Sequence, residues 1–219
     1  MDQALPDHLK LYDSAYFTGG RAVSGYADYN TCKPVLERWA GMVELLARPT
    51  SVLDVGCAYG FVVESFRRRG IPAVGIECSE FARAQARRTV LPYVIRGALP
   101  ELPDLSPTFA ARDTEPGRFD AVLCTEVLEH LPEELVPASI DALAAKTDRL
   151  LITLIMVEGH PTAHDDAGHL CLHDAAWWNT QFDATQLRQR ADLEQILSDD
   201  EYSQAMGWSD RFFVRERQQ

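Results

Sequence analysis

The stretch that decides the fold is VLDVGCAYG, residues 52–60, where an apolar run enters a glycine-rich turn. The segment that follows, residues 61–70, has helical spacing. A strand that passes through such a turn into a helix places backbone N–H groups and the positive end of a helix dipole beside a ligand. Asp54, two residues before Gly56, would repel a diphosphate there but would attract a cation. Alternatively, Asp54 only braces the turn through local hydrogen bonds.

Outside this turn, apolar runs suited to buried strands alternate with segments of helical spacing. The runs are AVGIEC (73–78), YVIRG (93–97), FDAVLCT (119–125) and LLITLIM (150–156). An amphipathic helix is predicted over 33–47, a terminal edge strand over 211–217 and a helix over 192–206, whereas a sixth strand is hard to place. The alternation predicts an α/β fold, an open twisted, mostly parallel sheet with helices on both faces.

Composition limits the possible partners. The 219-residue chain has 21 Lys and Arg against 33 Asp and Glu, a formal charge of −12, which disfavours nucleic acid and acidic membranes. A small neutral or cationic substrate fits better. The five cysteines form no C-x-x-C pair and are expected to be reduced. Without a signal pattern or a membrane-length apolar run, a cytoplasmic protein is expected, and its oligomeric state is left open.

The second strand carries an acid at its end. Glu77 stands 21 positions after Gly56, where a carboxylate can accept both hydroxyls of a ribose, which implies a 2′-hydroxyl without phosphate. Together, the carboxylates of Asp54 and Glu77 predict a nucleoside ligand that carries positive charge and no phosphate. S-adenosylmethionine is such a ligand.

Four stretches carry a family resemblance, and they occur in the expected order: VLDVGCAYG, GIECSEFA (75–82), GALPELP (97–103) and FDAVLCTEVLEHLP (119–132). They resemble the successive motifs of class I S-adenosylmethionine-dependent methyltransferases. The resemblance implies a Rossmann-like sheet of about seven strands in a single domain over residues 1–219. Within it we expect a helical, aromatic lid region (1–48), a cofactor-binding core (50–155) and a substrate-side segment with terminal strands (156–219).

The resemblance also assigns roles in binding S-adenosylmethionine and its product S-adenosylhomocysteine. The turn under the methionine part would comprise Asp54, Gly56, Cys57, Ala58 and Gly60. Ala58 replaces a commoner glycine, which is compatible with the turn if its φ is negative.

The remaining cofactor contacts lie after the second, third and fourth strands. Glu77 would hold the ribose, Cys78 would lie beside the adenine, and Ala98 and Leu99 would add backbone and apolar contacts. For Cys78, Ala98 and Leu99, ordinary core packing is an equal alternative. Thr125, followed by Glu126, would close over the sulfonium.

Transfer to a hydroxyl needs an aligned acceptor and a group that takes its proton. The helical spacing of Glu126, Glu129 and His130 predicts that they share one helix face. This Glu-x-x-Glu-His pattern resembles small-RNA 3′-terminal 2′-O-methyltransferases and some ubiquinone-pathway O-methyltransferases, which implies a divalent metal with His169 as a later ligand and His173 second. Such ligands suit Mn, Fe, Co, Ni or Zn better than Mg. Alternatively, Glu129 and His130 only pair or cap, or His130 or His169 acts as a general base without metal.

Two further segments are expected to shape the acceptor side. Four histidines, His160, His164, His169 and His173, follow the fifth strand, and for His160 and His164 a solvated loop position is the alternative. An aromatic flap is predicted from Tyr12, Tyr16, Phe17, Tyr26 and Tyr29, with Tyr26 or Tyr29 reaching the cofactor carboxylate. Trp178 and Phe182 are predicted to be core, and Trp177 is left open.

The sequence therefore predicts an S-adenosylmethionine-dependent methyltransferase that acts on a hydroxyl of a small molecule, with a role in secondary metabolism. An N-methyltransferase on a small amine, a non-catalytic S-adenosylmethionine-binding subunit and an aminopropyl-transferring relative are the alternatives. Asp54 and the missing third glycine speak against a dinucleotide oxidoreductase.

Overall fold

The computed structural model describes residues 6–20, 27–105 and 117–218, so Tyr26 lies outside the described residues. Seven strands within these ranges form one sheet in the order β3-β2-β1-β4-β5-β7-β6. They are β1 (Val52–Val55), β2 (Ala73–Glu77), β3 (Val94–Arg96), β4 (Phe119–Thr125), β5 (Thr147–Leu154), β6 (Leu187–Gln189) and β7 (Phe212–Arg217). β7 runs antiparallel to both of its neighbours, and the other pairs are parallel. The predicted open, mostly parallel sheet is confirmed.

The helices of the described ranges connect these strands. They are α1 (Ser14–Phe17), α2 (Lys33–Ala47), α3 (Phe61–Arg68), α4 (Glu80–Gln85), α5 (Val136–Lys146), α6 (Ala175–Asp183), α7 (Ala191–Asp199) and α8 (Glu201–Ala205). The bounds of α2 and β4 are the predicted ones. The helix predicted over 192–206 is two helices, because Asp200 takes a β conformation and its side chain caps α8 by accepting from the amides of Tyr202 and Ser203.

Two hydrophobic clusters cover the two faces of the sheet. Leu53 and Val55 of β1 pack in one cluster with Trp178 and Phe182 of α6, and Val52 packs in the other with Trp39 of α2. Alternate residues of β1 thus enter opposite layers, as expected of a central strand. Trp178 and Phe182 are fully buried, which confirms that they belong to the core.

The last strand differs from its prediction. β7 lies between β5 and β6, so the edges of the described sheet are β3 and β6, and the expected terminal edge strand is wrong. The charged end of β7 suggested exposure, but Arg215 is fully buried and donates to Glu194 and Asn179. The three-residue strand β6, which covers β7, carries too short an apolar pattern to be predicted.

None of the helices in residues 6–20, 27–105 and 117–218 combines the length and apolar character needed to cross a bilayer.

Candidate active site

A cavity of about 320 Å³ opens at the carboxyl ends of β1, β2 and β4. Residues predicted at the site line it: Asp54, Gly56, Cys57, Ala58, Glu77, Cys78, Ala98, Leu99, Thr125, Glu126 and His130. Among the described lining residues, the predicted Gly60, Glu129 and His169 do not occur. The C-terminal segment also contributes Met206, Trp208 and Arg211 to the wall, which sequence reasoning missed.

The glycine-rich turn owes its shape to three left-handed residues: Gly56, Ala58 and Gly60 have φ of +79°, +46° and +71°. A Cβ at Gly56 would overlap Cγ2 of Val127. The condition that Ala58 has a negative φ is not met, so this residue holds a conformation that costs about 1 kcal/mol for an L-residue. Gly60 is the N-cap residue of α3 and shapes the turn without lining the cavity.

Glu77 fastens the turn to the second strand. Its Oε2 accepts from the amide of Ala58 at 2.8 Å, and its Oε1 accepts from the amide of Ser79 at 2.7 Å. Burial raises the pKa of Glu77, and these backbone bonds oppose the rise. Because a carboxylate offers about four lone-pair sites, it retains capacity for a ligand hydroxyl.

Asp54 lines the same cavity and is 5% exposed. Burial, followed by repulsion from Glu77, raises its pKa to about 7. Within the described residues, no hydrogen bond braces this carboxylate. A buried acid of this kind is stabilised in its charged form by a cation beside it.

The predicted adenine side is formed by short-chain and apolar groups. The Cys78 thiol donates to Oε1 of Glu77 at 3.4 Å, and burial followed by repulsion from Glu77 raises the pKa of the thiol. Leu99 is 6% exposed and belongs to the hydrophobic core as well as to the cavity wall. The position of Leu99 is therefore compatible with both predictions, core packing and ligand contact.

The end of β4 presents two polar side chains to the cavity. Thr125 Oγ1 is buried without a hydrogen-bond partner among the described residues. Glu126 has a φ of +55° and its carboxylate is paired with Arg211, which also donates to the carbonyl oxygens of Ile155 and Gly207. Glu126 is therefore already neutralised by a buried cation.

The shared helix face predicted for Glu126, Glu129 and His130 is wrong. Residues Leu128–His130 form a single 3₁₀ turn, and α5 begins only at Val136. The left-handed backbone of Glu126 ends the strand abruptly, and the turn sends Glu129 inward, where it is fully buried.

His130 lines the cavity in a defined tautomer. Its Nδ1 lies 2.9 Å from the carbonyl oxygen of Gly168, an acceptor only, so Nδ1 donates and the Nε2 lone pair stays available. Burial, followed by the nearby His169, lowers the pKa of His130 to about 4. The imidazole is therefore neutral at physiological pH.

His169 lies beside His130, with 4.8 Å between ring centroids. Its Nδ1 is 2.6 Å from the carbonyl oxygen of Ala163, which leaves Nε2 available here as well. Glu129 Oε1 accepts from the amide of Met156, and its Oε2 is buried without a partner among the described residues.

The predicted metal ligands fall into two groups that share His169. In one group, ligand atoms of Glu126, Glu129 and His169 lie within 4.8 Å of one another, and in the other those of His130, Asp166 and His169 do so. The four predicted ligands therefore do not form one set, because the 3₁₀ turn points the side chains of Glu129 and His130 in different directions. Asp166 was not among the predicted ligands.

The other three histidines of the segment between β5 and α6 do not line the cavity. His160 Nε2 lies 3.1 Å from the carbonyl oxygen of Gly207, and the exposed His164 pairs with Glu158. His173, the second choice for a later ligand, instead lies 3.0 Å from Glu133 and stacks on Trp177.

Aromatic residues of the N-terminal region cover the cavity. Tyr12, Tyr16, Phe17 and Tyr29 all line it, and the Tyr16 hydroxyl donates to Asp166 at 3.0 Å. Burial raises the pKa of Tyr12, whose hydroxyl is buried without a hydrogen-bond partner among the described residues.

The chain belongs to the family described as a methyltransferase domain, whose match covers residues 26–202. Ubiquinone biosynthesis O-methyltransferases are similar to parts of it. That of Alkalilimnicola ehrlichii is 38% identical over 88 residues, which are 40% of this chain and 33% of the relative. That of Pseudomonas paraeruginosa is 33% identical over 117 residues, 53% of this chain and 47% of the relative. The matches thus span between a third and a half of these relatives.

Solved structures share the fold at low identity. Magnesium protoporphyrin IX methyltransferase from Synechocystis PCC 6803, with bound SAM, has a TM-score of 0.59 at 19% identity and full coverage of both chains. A SAM-dependent methyltransferase from Archaeoglobus fulgidus has a TM-score of 0.58 at 13% identity, over 86% of this chain and 94% of that one. Together with the family match, they confirm the class I, Rossmann-like S-adenosylmethionine-dependent methyltransferase recognised from the sequence.

Proposed function

We propose that this chain binds S-adenosylmethionine and methylates a hydroxyl of a small molecule. The observation that carries the proposal is the continuity of the cavity. The carboxylates of Asp54 and Glu77 and the neutral imidazole of His130 all line it. We call the part beside the two carboxylates the donor half and the part beside His130 the acceptor half. Donor and acceptor can therefore bind in the same cavity, as a direct displacement requires.

The donor half of the cavity fits a cationic nucleoside. Asp54 has no hydrogen-bond partner within the described residues, and a ligand ammonium or sulfonium would favour its charged form. Glu77 keeps lone pairs for ribose hydroxyls while its bonds to Ala58 and Ser79 hold the turn. Thr125 Oγ1 offers an unpaired donor and acceptor at the junction with the acceptor side. When bound, S-adenosylmethionine supplies a methyl group made electrophilic by the adjacent sulfonium.

The acceptor half favours oxygen over nitrogen. Because His130 donates through Nδ1, its Nε2 lone pair can accept the hydrogen bond of a hydroxyl and orient it. A neutral amine needs no such partner before methylation, whereas a hydroxyl must lose its proton. The names of the curated relatives, which are O-methyltransferases, agree with this choice. Their ubiquinone pathway does not define this acceptor.

Two residues that do not line the cavity, Glu129 and His169, lie beside the lining residue Glu126 and offer donors that suit a divalent cation. The unpartnered Glu129 Oε2 and the available Nε2 of His169 form a mixed oxygen and nitrogen set that fits Mn, Fe, Co, Ni or Zn. Glu126 would join them only by sharing its carboxylate with Arg211. A cation held there would withdraw charge from an acceptor oxygen and lower its pKa.

Calorimetry with S-adenosylmethionine and S-adenosylhomocysteine tests the donor half, and an assay of hydroxyl and amine acceptors tests the acceptor half. We expect both nucleosides to bind and methylated oxygen to be found by mass spectrometry. Methylated nitrogen would favour the alternative small-amine enzyme. Binding without turnover across the panel would favour a non-catalytic subunit, and absence of binding to either nucleoside would refute the proposal.

Metal dependence is tested separately on protein without a histidine tag. We expect activity to fall in chelator and to return with Mn²⁺ or Co²⁺, since the donors are mixed. Full activity in chelator, with no metal found by elemental analysis, would leave His130 as the acceptor-orienting group without a cation.

A further inference from the structure

A second group of metal-ligating side chains lies outside the cavity wall. Ligand atoms of Glu133, Cys171 and His173 lie within 4.8 Å of one another, and none of the three residues lines the cavity. Glu133 belongs to the 3₁₀ turn before α5, whereas Cys171 and His173 lie in the segment between β5 and α6. The group therefore joins two segments that are far apart in sequence.

Cys171 is the unusual member of this group. The residue is 1% exposed, yet no hydrogen bond to its Sγ is found in the described part of the chain. Its thiol approaches the carboxylate of Glu133 and the imidazole of His173. A buried sulfur beside a carboxylate and an imidazole offers the three donor types that zinc binds.

The surrounding contacts hold these donors in place before a metal arrives. The amide of Cys171 donates to the carbonyl oxygen of Glu129 at 2.9 Å, and the carbonyl oxygen of His173 accepts from Glu158. The His173 ring stacks on Trp177, with 3.9 Å between centroids, which fixes its orientation. His173 Nε2 and Glu133 Oε2 are already 3.0 Å apart. Little rearrangement is therefore needed to bring three ligands around one ion.

We propose that Glu133, Cys171 and His173 form a binding site for Zn²⁺, separate from the cavity. Binding would release the Cys171 thiol proton to solvent. Nε2 of His173 would bind the ion as a neutral imidazole that carries its ring proton on Nδ1. Three protein ligands leave a fourth tetrahedral position for water. The ion would fasten the segment that carries Asp166 and His169 to the turn before α5. This inference does not depend on the proposed methyl transfer.

Co²⁺ titration of the full, untagged, reduced chain tests the site, because a cysteine thiolate bound to Co²⁺ gives a near-ultraviolet charge-transfer band. We expect the band in the wild-type protein and its loss when Zn²⁺ displaces Co²⁺. The band should persist in Cys32→Ser, the control thiol, and in His169→Gln, which alters the other candidate metal group. It should be absent in Cys171→Ser.

Two partly exposed ligands keep the test decisive if Cys171→Ser fails to fold. His173→Gln and Glu133→Gln should each weaken Co²⁺ binding by about tenfold or more, whereas His164→Gln, which changes an exposed histidine outside the group, should not. Zn²⁺ should raise the unfolding temperature of the wild-type protein and of His164→Gln but not of His173→Gln. The proposal is overturned if wild-type protein gives no thiolate band, if the band survives Cys171→Ser, or if His173→Gln binds as tightly as wild type.

Discussion

Replacing Asp54 with asparagine should stabilise the protein at alkaline pH while weakening its binding of a cationic ligand. The Asp54 carboxyl has a pKa of about 7 in the fold against an ordinary value of 3.8. At about 1.4 kcal/mol per pKa unit, this rise means that the charged carboxylate lowers the free energy of unfolding by roughly 4 kcal/mol. The substitution removes this cost, but the buried asparagine amide needs hydrogen-bond partners of its own. We therefore expect the free energy of unfolding to rise by about 2 to 4 kcal/mol at high pH.

The sign follows from proton binding. Between pH 3.8 and about 7, the folded protein holds a proton on Asp54 that the unfolded chain releases. The free energy of unfolding of the wild-type protein therefore falls as the pH rises through this window, and the full penalty is present above it. The asparagine side chain carries no charge to bury, so the variant and the wild type should converge at low pH and separate at high pH.

Binding should change in the opposite direction. S-adenosylmethionine favours the ionised Asp54, so wild-type affinity should rise as the pH passes upward through about 7, whereas the affinity of Asp54→Asn should stay flat over that range. At high pH the variant should bind more weakly by about 1 kcal/mol or more, the value of a charge-assisted contact.

Urea unfolding and calorimetry across this pH range measure both effects. Asp141→Asn is the matched control, because Asp141 is exposed on α5. The reasoning fails if Asp54→Asn is no more stable than Asp141→Asn at high pH, or if its affinity for the sulfonium follows the wild-type pH curve.

Three further substitutions test the turn, the acceptor side and the ion pair. Gly56→Ala should destabilise by about 2 kcal/mol more than Gly70→Ala in thermal unfolding, since both have positive φ but only Gly56 would overlap a valine; equal losses would contradict the overlap. His130→Gln should lower the methylation rate by about 10²-fold or more with unchanged S-adenosylhomocysteine affinity, and a wild-type rate would exclude it from the chemistry. Arg211→Met should cost about 3 kcal/mol in urea unfolding, and adding Glu126→Gln should recover part of it; an additive double variant would count against the pair.

The elements that the sequence predicted well are those whose local pattern and burial agree. α2 carries one apolar face and proline near its start, and β4 is an apolar run buried on both faces, so both have their predicted bounds. The glycine-rich turn was also placed correctly, since its positive φ values need glycine at two of three positions. Ala58 is the exception, because the hydrogen bond that its amide donates to Glu77 holds it in the left-handed region.

The acceptor side was harder to predict because tertiary contacts decide it. Glu126 and His130 have helical spacing, but a left-handed residue and a 3₁₀ turn replace the helix. Arg211, whose only local signal is a charge before a strand, reaches Glu126 across 85 positions. Helix and strand periodicity relates residues only a few positions apart, so the ion pair that neutralises a candidate ligand could not be predicted from the sequence.

Two carboxylates that accept hydrogen bonds from backbone amides limit what alanine substitutions can reveal about ligand binding. Glu77 satisfies two buried amides, and Glu129 satisfies the amide of Met156, while each also lies near a site proposed for a ligand. Removing either side chain leaves buried donors unpaired, at about 1 to 3 kcal/mol each, and displaces the backbone around the site. A loss of cofactor or metal binding in such a variant would follow whether or not the carboxylate touches the ligand. Asp54 lacks a hydrogen-bond partner in the described ranges, so replacing it leaves no backbone amide unpaired. Its charge is therefore the clearest probe of what the cavity binds.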